Sequence, residues 1–534
     1  MEESEFIENL KKPSVYGSNV ESVKLLQTHI SYVVLTGRYA YKIKKPVNFG
    51  FLDFSNLEKR KFFCEEELRL NRRLCPEIYI GVVPITESNG DLKINGDGKI
   101  IDYAVKMIEF PQEKIMRNIL LKHDNVDVEI FDKISSILVD FYKKNISSEE
   151  IRRYGSVKSI EYNTDENFEQ IEEFIDISIS REYYDFIKNI TNSFLETKKG
   201  FFEKRVKNGF IKDCHGDLHT GNIVIDNDRI CIFDCIEFNK RFRYGDVASD
   251  IGFLAMDLDF LGYPYRSGYL VEKYVEKSND SNVFDVLNFY KCYRAFVRGK
   301  VNSFRLNEKN LSQNEKKEIL TICKKYFDLA YYYASLCSLQ LSEKTKPVLF
   351  VLTGLTGTGK TTIARKISVD YQAFKISSDR LRKELAGVDI YEKHYDKYNT
   401  GLYSPEKMRQ VYDKMFEQAT LLLRSGKNVV LDATFKTDDL RDEAVRIAKE
   451  NNAVCLFVYC SCPEDKVREY LEERVRRKTV SDGRWEIYVK QKDSFESLRK
   501  VYDFVEVDIS NKSFEYQLNV FKDMFNKVYE RVNS

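Results

Sequence analysis

No run in this 534-residue chain approaches the ~18 consecutive apolar residues that a membrane-crossing helix requires. An excess of either charge is also lacking: 85 lysines and arginines stand against 84 aspartates and glutamates, a net charge of +1. Divided at Pro347, the front part carries 52 basic and 54 acidic residues and the back part 33 and 30, so neither has the basic surplus of a general nucleic-acid binder. Histidine is scarce, at five residues (His29, His123, His215, His219, His394), and no second cysteine pair accompanies Cys460-Ser461-Cys462, which argues against a zinc site. The eleven cysteines are odd in number and scattered. Cys231, Cys455 and Cys460 fall in apolar runs, where a thiol behaves as a small hydrophobe, so no disulfide framework is expected. The opening MEESEFIENL is acidic and polar and makes no secretory signal; a cytoplasmic protein is expected.

What is present is a globular composition of a length that suggests two to four domains. The most informative stretch runs from Cys214 to Phe238. His215, Asp217 and Asn222 follow the order H-x-D-x-x-x-x-N, and the apolar run Ile230–Phe233 then delivers Asp234. Phosphoryl transfer from ATP needs a carboxylate to orient the acceptor hydroxyl and take its proton, and oxygen ligands to hold Mg²⁺ against the phosphates. Asp217 fits the first role; Asn222 and Asp234 fit the second.

Upstream, Ile30–Leu35 and Tyr39–Ile43 read as a hairpin around Thr36-Gly37-Arg38. A kinase holds the α- and β-phosphates with a lysine on such a strand, and Ala40-Tyr41-Lys42 parallels the V-A-I-K pattern. Lys42 is the choice and Lys44, on the same strand face, the runner-up. The helical pattern from Asn56 to Leu74 can supply the carboxylate that pairs with that lysine, Glu65 or Glu67. Tyr79–Pro84 and Ile101–Met107 read as strands, Met107–Pro111 as a lobe hinge, and Glu113–Phe210 as mostly helical. No G-x-G-x-x-G precedes Lys42, and Tyr16-Gly17-Ser18-Asn19 is a weak substitute. After Asp250 the pattern to about Ser338 is helical, with Tyr331–Tyr333 a core stripe.

Past the polar link Ser342–Lys346, the strand Val348–Leu352 leads into Gly354-Leu355-Thr356-Gly357-Thr358-Gly359-Lys360-Thr361, the G-x-x-x-x-G-K-T loop in its strand-to-helix setting. Its glycines (Gly354, Gly357, Gly359) let backbone N–H groups wrap phosphates at a helix N-terminus. Lys360, Thr361 and Thr362 complete the nucleotide-binding set, with Thr361 also a Mg²⁺ ligand. The strand Phe374–Ser377 leads to Asp379 and Arg382, one helical turn apart and able to face one site. Val429–Leu431 delivers Asp432 as a second metal carboxylate. The helix Pro463–Lys478 carries Arg474, Arg476 and Arg477 before Ser481-Asp482-Gly483-Arg484, and a mobile lid bearing arginines would neutralise charge on the transferred phosphoryl.

The front motifs, HGD in place of HRD and Asp234-Cys235-Ile236 in place of DFG, resemble the aminoglycoside phosphotransferase family. Gly245–Asp250 resembles that family's segment that buttresses the catalytic loop, which implies a supporting role for Asp250. The order from Val348 to about Asp508 resembles the predicted-kinase group of P-loop proteins, related to polynucleotide, gluconate and zeta-toxin-type kinases, in which the aspartate orients the acceptor hydroxyl and the arginine holds the acceptor. The whole chain thus looks like a fused aminoglycoside phosphotransferase/P-loop protein. The fold expected is a two-lobed α+β kinase-like domain over 1–338 and an α/β P-loop domain with a parallel sheet over 347–534. Two independent ATP–Mg²⁺ sites phosphorylating a small molecule or a nucleic-acid end are expected, the alternative being a front kinase regulated by a P-loop ATPase switch.

Overall fold

The computed structural model describes residues 2–122, 126–227, 229–308, 310–342, 346–394, 400–475, 480–499 and 501–532. The chain packs as two units, one of residues 1–160 and 202–254, the other of 161–201 and 255–534. This division does not run along the polar link: by packing, residues 161–201 and 255–338, which precede the link, group with the P-loop part.

The first unit is organised by a six-stranded antiparallel sheet, β1 (Lys24–Gln27), β2 (Ser31–Leu35), β3 (Tyr39–Lys44), β4 (Tyr79–Ser88), β5 (Asp91–Ile94) and β6 (Lys99–Ile108), in the order β1-β2-β3-β6-β4-β5. Side chains of β3 alternate between two cores. Tyr39, Tyr41 and Ile43 pack with Leu10, Val34 and Ile85, whereas Ala40 packs with Cys64, Val105 and Met107. Lys42 and Lys44 share the face of Ala40 by the two-residue period, and this is the side on which helix α1 (Leu57–Asn71) packs. α1 is capped by Asn56, whose side chain accepts from Lys59 N–H. β7 (Ile211–Asp213), the hairpin β8 (Ile223–Asp226) and β9 (Arg229–Ile232), and β10 (Tyr244–Asp246) complete the strands of this unit, with β10 leading into α2 (Val247–Phe260). Contrary to the cysteine expectation, Cys75 is bridged to Cys231 of β9, with 5.0 Å between Cα atoms. Gly17 lies ahead of β1, outside the hairpin turns of this sheet.

The second unit holds a five-stranded parallel sheet, β11 (Val348–Thr353), β12 (Phe374–Ser377), β13 (Val429–Asp432), β14 (Val454–Ser461) and β15 (Phe504–Asp508), ordered β12-β13-β11-β14-β15. All six residues of β11 are buried, as a strand covered on both faces requires. Helices α3 (Pro264–Ser278), α4 (Val283–Phe304) and α5 (Gln313–Leu341) precede the sheet; within it come α6 (Lys360–Asp370), α7 (Ser378–Leu385), α8 (Pro405–Arg424), α9 (Glu464–Val475) and α10 (Trp485–Asp493), and after it α11 (Phe514–Val532). Among the described residues no helix is long and apolar enough to cross a membrane.

Candidate active sites

In the first unit the loop bearing Asp217 and Asn222 is held from behind. The buried carboxylate of Asp250 accepts from the backbone N–H of His215 at 2.7 Å and of Gly216 at 3.0 Å, and from the Tyr142 hydroxyl at 3.1 Å. Asp250 therefore stands where the buttressing role requires. His215 Nδ1 accepts the N–H of Asp217 at 3.2 Å and its Nε2 meets the Phe233 carbonyl at 2.9 Å, which calls for the neutral Nε2–H tautomer. Burial lowers the His215 pKa and favours that form. Gly216 has φ +86°, and a Cβ there would lie 2.8 Å from the Phe242 carbonyl oxygen, so glycine is required.

Asn222 donates to the Asp217 carboxylate at 3.1 Å, its carbonyl accepts Phe233 N–H at 3.0 Å, and His219 Nε2 lies 3.4 Å from Asp217. Asp234 follows β9 with φ +63°, a left-handed conformation that aspartate tolerates and that turns the chain out of the strand. Lys42 Nζ lies 2.6 Å from Asp234 and 2.9 Å from Glu67. The structure thus pairs Lys42 with Asp234 and Glu67, and Asn222 with Asp217, and ties the two groups through the backbone bond from Phe233, the residue before Asp234, to Asn222.

Glu65 is not part of it. It is exposed and lies 3.9 Å from Lys61, whereas Glu67 is buried and contacts both Lys42 and Lys44. The reason is helical phase: Cys64, Glu67 and Asn71 fall on the inward face of α1 and Glu65 does not. Lys44 also pairs with Glu237, a buried residue that the sequence reading passed over. Its signal was a glutamate in an otherwise apolar run, since a carboxylate that far inside must find a cation. Burial raises the Glu67 carboxyl, but Lys42 and Lys44 outweigh it and hold the pKa at about 2. Glu237 stays raised, by burial above all.

In the second unit the phosphate loop leaves β11 at the carboxyl edge of the sheet. Gly354, Gly357 and Gly359 all have positive φ, and a Cβ on Gly354 would meet the Cys460 carbonyl at 2.4 Å. Lys360 Nζ folds back onto the carbonyl oxygens of Gly354 at 2.9 Å and Leu355 at 2.7 Å, and burial lowers its pKa. The Thr361 hydroxyl sits beside Asp432, at the end of β13, while Thr362 N–H bonds the Gly359 carbonyl in the first helical turn. Asp432 Oδ2 is buried without a hydrogen-bond partner among the described residues. Burial raises its pKa, with the Thr361 hydroxyl working against that.

Asp379 and Arg382 meet on the first turns of α7, Arg382 Nη2 lying 2.6 Å from Asp379 Oδ1 and 3.0 Å from the Tyr403 hydroxyl. The guanidinium also lies over the Tyr403 ring, at 4.1 Å from its centroid. Burial raises the Asp379 pKa, but Arg382 prevails and leaves it lowered. Asp482 accepts from Tyr403 at 2.9 Å and pairs with the buried Lys383 at 3.2 Å; Ser481 lies beside Asp379, helping to lower its pKa, and accepts from Arg474 Nη1 at 3.4 Å. Tyr403, Lys383 and the roles of Ser481 and Asp482 were missed, because Tyr403 lies 21 residues from Arg382 and Lys383 lies 99 from Asp482. Arg474 is pushed below the usual arginine range by burial, and Asp379 and Asp432 act against that. Glu469 and Glu472 pair with Lys466 and Arg468, leaving Arg474 to the site. Arg476 and Arg477 lie outside the described residues.

Residues 349–498 match a family model described as an AAA domain, so the back part carries a P-loop domain of that kind. An uncharacterized protein of Mycobacterium tuberculosis is 28% identical over 452 residues, 85% of this chain and 86% of that protein. A shikimate kinase of Caldanaerobacter subterraneus is 29% identical over 137 residues, which are 23% of this chain and 77% of that kinase. Of solved structures, a Plasmodium vivax ethanolamine kinase is similar over 57% of this chain and 83% of its own at 11% identity and a TM-score of 0.34. A gluconokinase from Sinorhizobium meliloti is similar over 35% of this chain and 95% of its own at 16% identity and a TM-score of 0.25.

Proposed function

We propose that the chain is a cytoplasmic, ATP- and Mg²⁺-dependent phosphotransferase acting on hydroxyl groups of a small molecule or a nucleic-acid end. The observation that carries it is the convergence of Asp379, Arg382, Asp432 and Arg474 around the phosphate loop. A nucleotide-binding loop alone serves a switch as well as a kinase, but a half-buried aspartate paired with a buried arginine beside that loop serves transfer. The match to an AAA domain and the similarity to a shikimate kinase support this reading. In it, backbone N–H groups of the loop and Lys360 bind the phosphates, and Asp379 orients the acceptor hydroxyl and takes its proton. Arg382 holds the acceptor, and Arg474 stabilises charge on the transferred group. The orphaned Oδ2 of Asp432 beside Thr361 suits a hydrated hard cation, and Mg²⁺ held there would neutralise phosphate charge.

The front unit is proposed as a second, aminoglycoside phosphotransferase-like site. Asp217 serves there as base, Lys42 as the phosphate lysine backed by Glu67, and Asn222 and Asp234 as the oxygen donors for Mg²⁺. The exposed Asp234 carboxylate and the Asn222 carboxamide are hard oxygen donors of the kind that ion takes.

The test is transfer of labelled γ-phosphate into a metabolite extract and RNA by the full chain. Asp379→Ala should abolish the back-site product while Mg-ATP still binds, since Lys360 and Thr361 are untouched. Asp217→Asn should remove a different product and Lys360→Ala should spare it, each loss being on the order of 10² to 10⁴ in rate. ATP hydrolysis indifferent to every acceptor would overturn transfer in favour of an ATPase switch.

A further inference from the structure

Behind the phosphate loop the second unit buries a group of charges that no step of the proposed transfer uses. Lys366 and Asp370 sit one turn apart on α6, the helix that begins with Lys360, and their charged groups are 2.7 Å apart. Asp259, near the end of α2, lies 3.4 Å from Lys366 and 2.7 Å from Lys291 of α4, which in turn is 3.8 Å from Asp370. Two neighbouring hydroxyls of α5 close the group: Tyr332 donates to Asp370 at 2.8 Å and Tyr333 to Asp259 at 2.5 Å. None of the six side chains has appreciable solvent exposure. Two carboxylates against two ammonium groups leave the group neutral, and every member is matched to another on a different helix or one turn away.

The contacts around it run the same way. Asn288 of α4 donates to the Asp370 carbonyl at 2.9 Å, at the C-terminal end of α6. Gly268 of α3 lies so close to α6 that a Cβ there would be 3.2 Å from the Lys366 backbone nitrogen. Glu272 of α3 bonds Arg365 of α6 at 2.6 Å and also pairs with Lys375 of β12, the strand that delivers Asp379. Helices encoded ahead of the phosphate loop therefore grip both the helix that carries Lys360 and the strand that leads to Asp379.

Buried ion groups are costly to form and are strongly disrupted by removing one partner, which makes them better at fixing a geometry than at adding stability. A helix that presents backbone N–H groups to phosphate needs such fixing, because a displacement of about 1 Å far from the chemistry can cost on the order of 10²-fold in rate.

We propose that Asp259, Lys291, Tyr332 and Tyr333 are positioning residues for the phosphate-binding helix, so that the ATP site of the back part is completed by side chains that precede it in the chain by 20 to 100 residues. The proposal rests on the reading of Lys360 as the phosphate lysine. It is tested in the full chain by calorimetric Mg-ATP affinity and by steady-state ATP turnover. Tyr333→Phe removes one hydroxyl and keeps the ring. It should lower turnover or Mg-ATP affinity several-fold at temperatures well below its melting transition, where the variant is fully folded. Asp259→Asn, of equal size, should lower them about 10- to 100-fold, the range for groups that orient a site from behind, with Asp259→Glu recovering part of the loss. If Asp259→Asn does not fold, Tyr333→Phe decides. Variants that fold, bind and turn over like the natural protein overturn the positioning role. Mg-ATP affinity that survives Lys360→Ala unchanged would instead remove the nucleotide reading on which the proposal rests, and the proposal with it.

Discussion

Glu67 lies within ion-pair distance of both Lys42 and Lys44, and its replacement separates the two candidate glutamates of α1. Glu67→Gln should destabilise the first unit by about 3 to 5 kcal/mol, the cost of stranding buried charge. Glu65→Gln, at an exposed position, should change stability by less than about 0.5 kcal/mol. Urea unfolding of both variants checks this. Because the folded Glu67 pKa is depressed to about 2, its contribution is present above the ordinary carboxyl range and is lost as pH falls from about 4.3 toward 2. Glu237, raised by burial, works in the opposite direction, so the Glu67→Gln difference is the quantity to follow. At the other site, Asp432 has a raised pKa, and a cation needs it ionised. Mg-ATP affinity should therefore fall on acidification at a pH above the ordinary aspartate value of about 3.9. Calorimetry across pH on the natural protein and on Asp432→Asn checks it, the variant being weak throughout and lacking that inflection.

At the scale of elements, the loop that carries Asp217 takes its shape from the start of α2. Asp250→Ala deletes a buried acceptor of two backbone N–H groups and leaves them unsatisfied, so a loss of about 3 kcal/mol or more is expected. Amide hydrogen exchange should locate the loss, with faster exchange at His215 and Gly216 than in β3. Several elements could be read from the chain alone. The hairpin of β2 and β3, strand β12 and the strand-to-helix setting of the phosphate loop appear where expected, because each depends on local alternation and turn residues. The partners of those elements could not be read. Glu67 rather than Glu65, Glu237 beside Lys44, and Tyr403 beneath Arg382 are matched by packing across 20 to 190 residues of sequence, where periodicity carries no information.

For the whole molecule, the division by packing makes a prediction about where the chain can be cut. A fragment of residues 347–534 would leave Lys366 and Asp370 without Asp259, Lys291 and Tyr332, and would strip the face of α6 that meets α3. It should melt below the full chain and bind Mg-ATP more weakly, as thermal unfolding and calorimetry would reveal; equal stability and affinity would show the helices of residues 255–341 to be dispensable. By itself the sequence singled out the loops proposed to carry the chemistry, HGD with Asn222 and Asp234, and G-x-x-x-x-G-K-T with Asp379 and Asp432. A phosphate cradle and a catalytic loop are made by residue types at short, local spacing. Only the tertiary structure decided which glutamate meets Lys42, which buried charges stand behind Lys360, and that residues 255–341 pack with the P-loop part instead of ending at the polar link. Burial and ion pairing depend on what surrounds a side chain in space, and here those surroundings come from segments far apart in the chain.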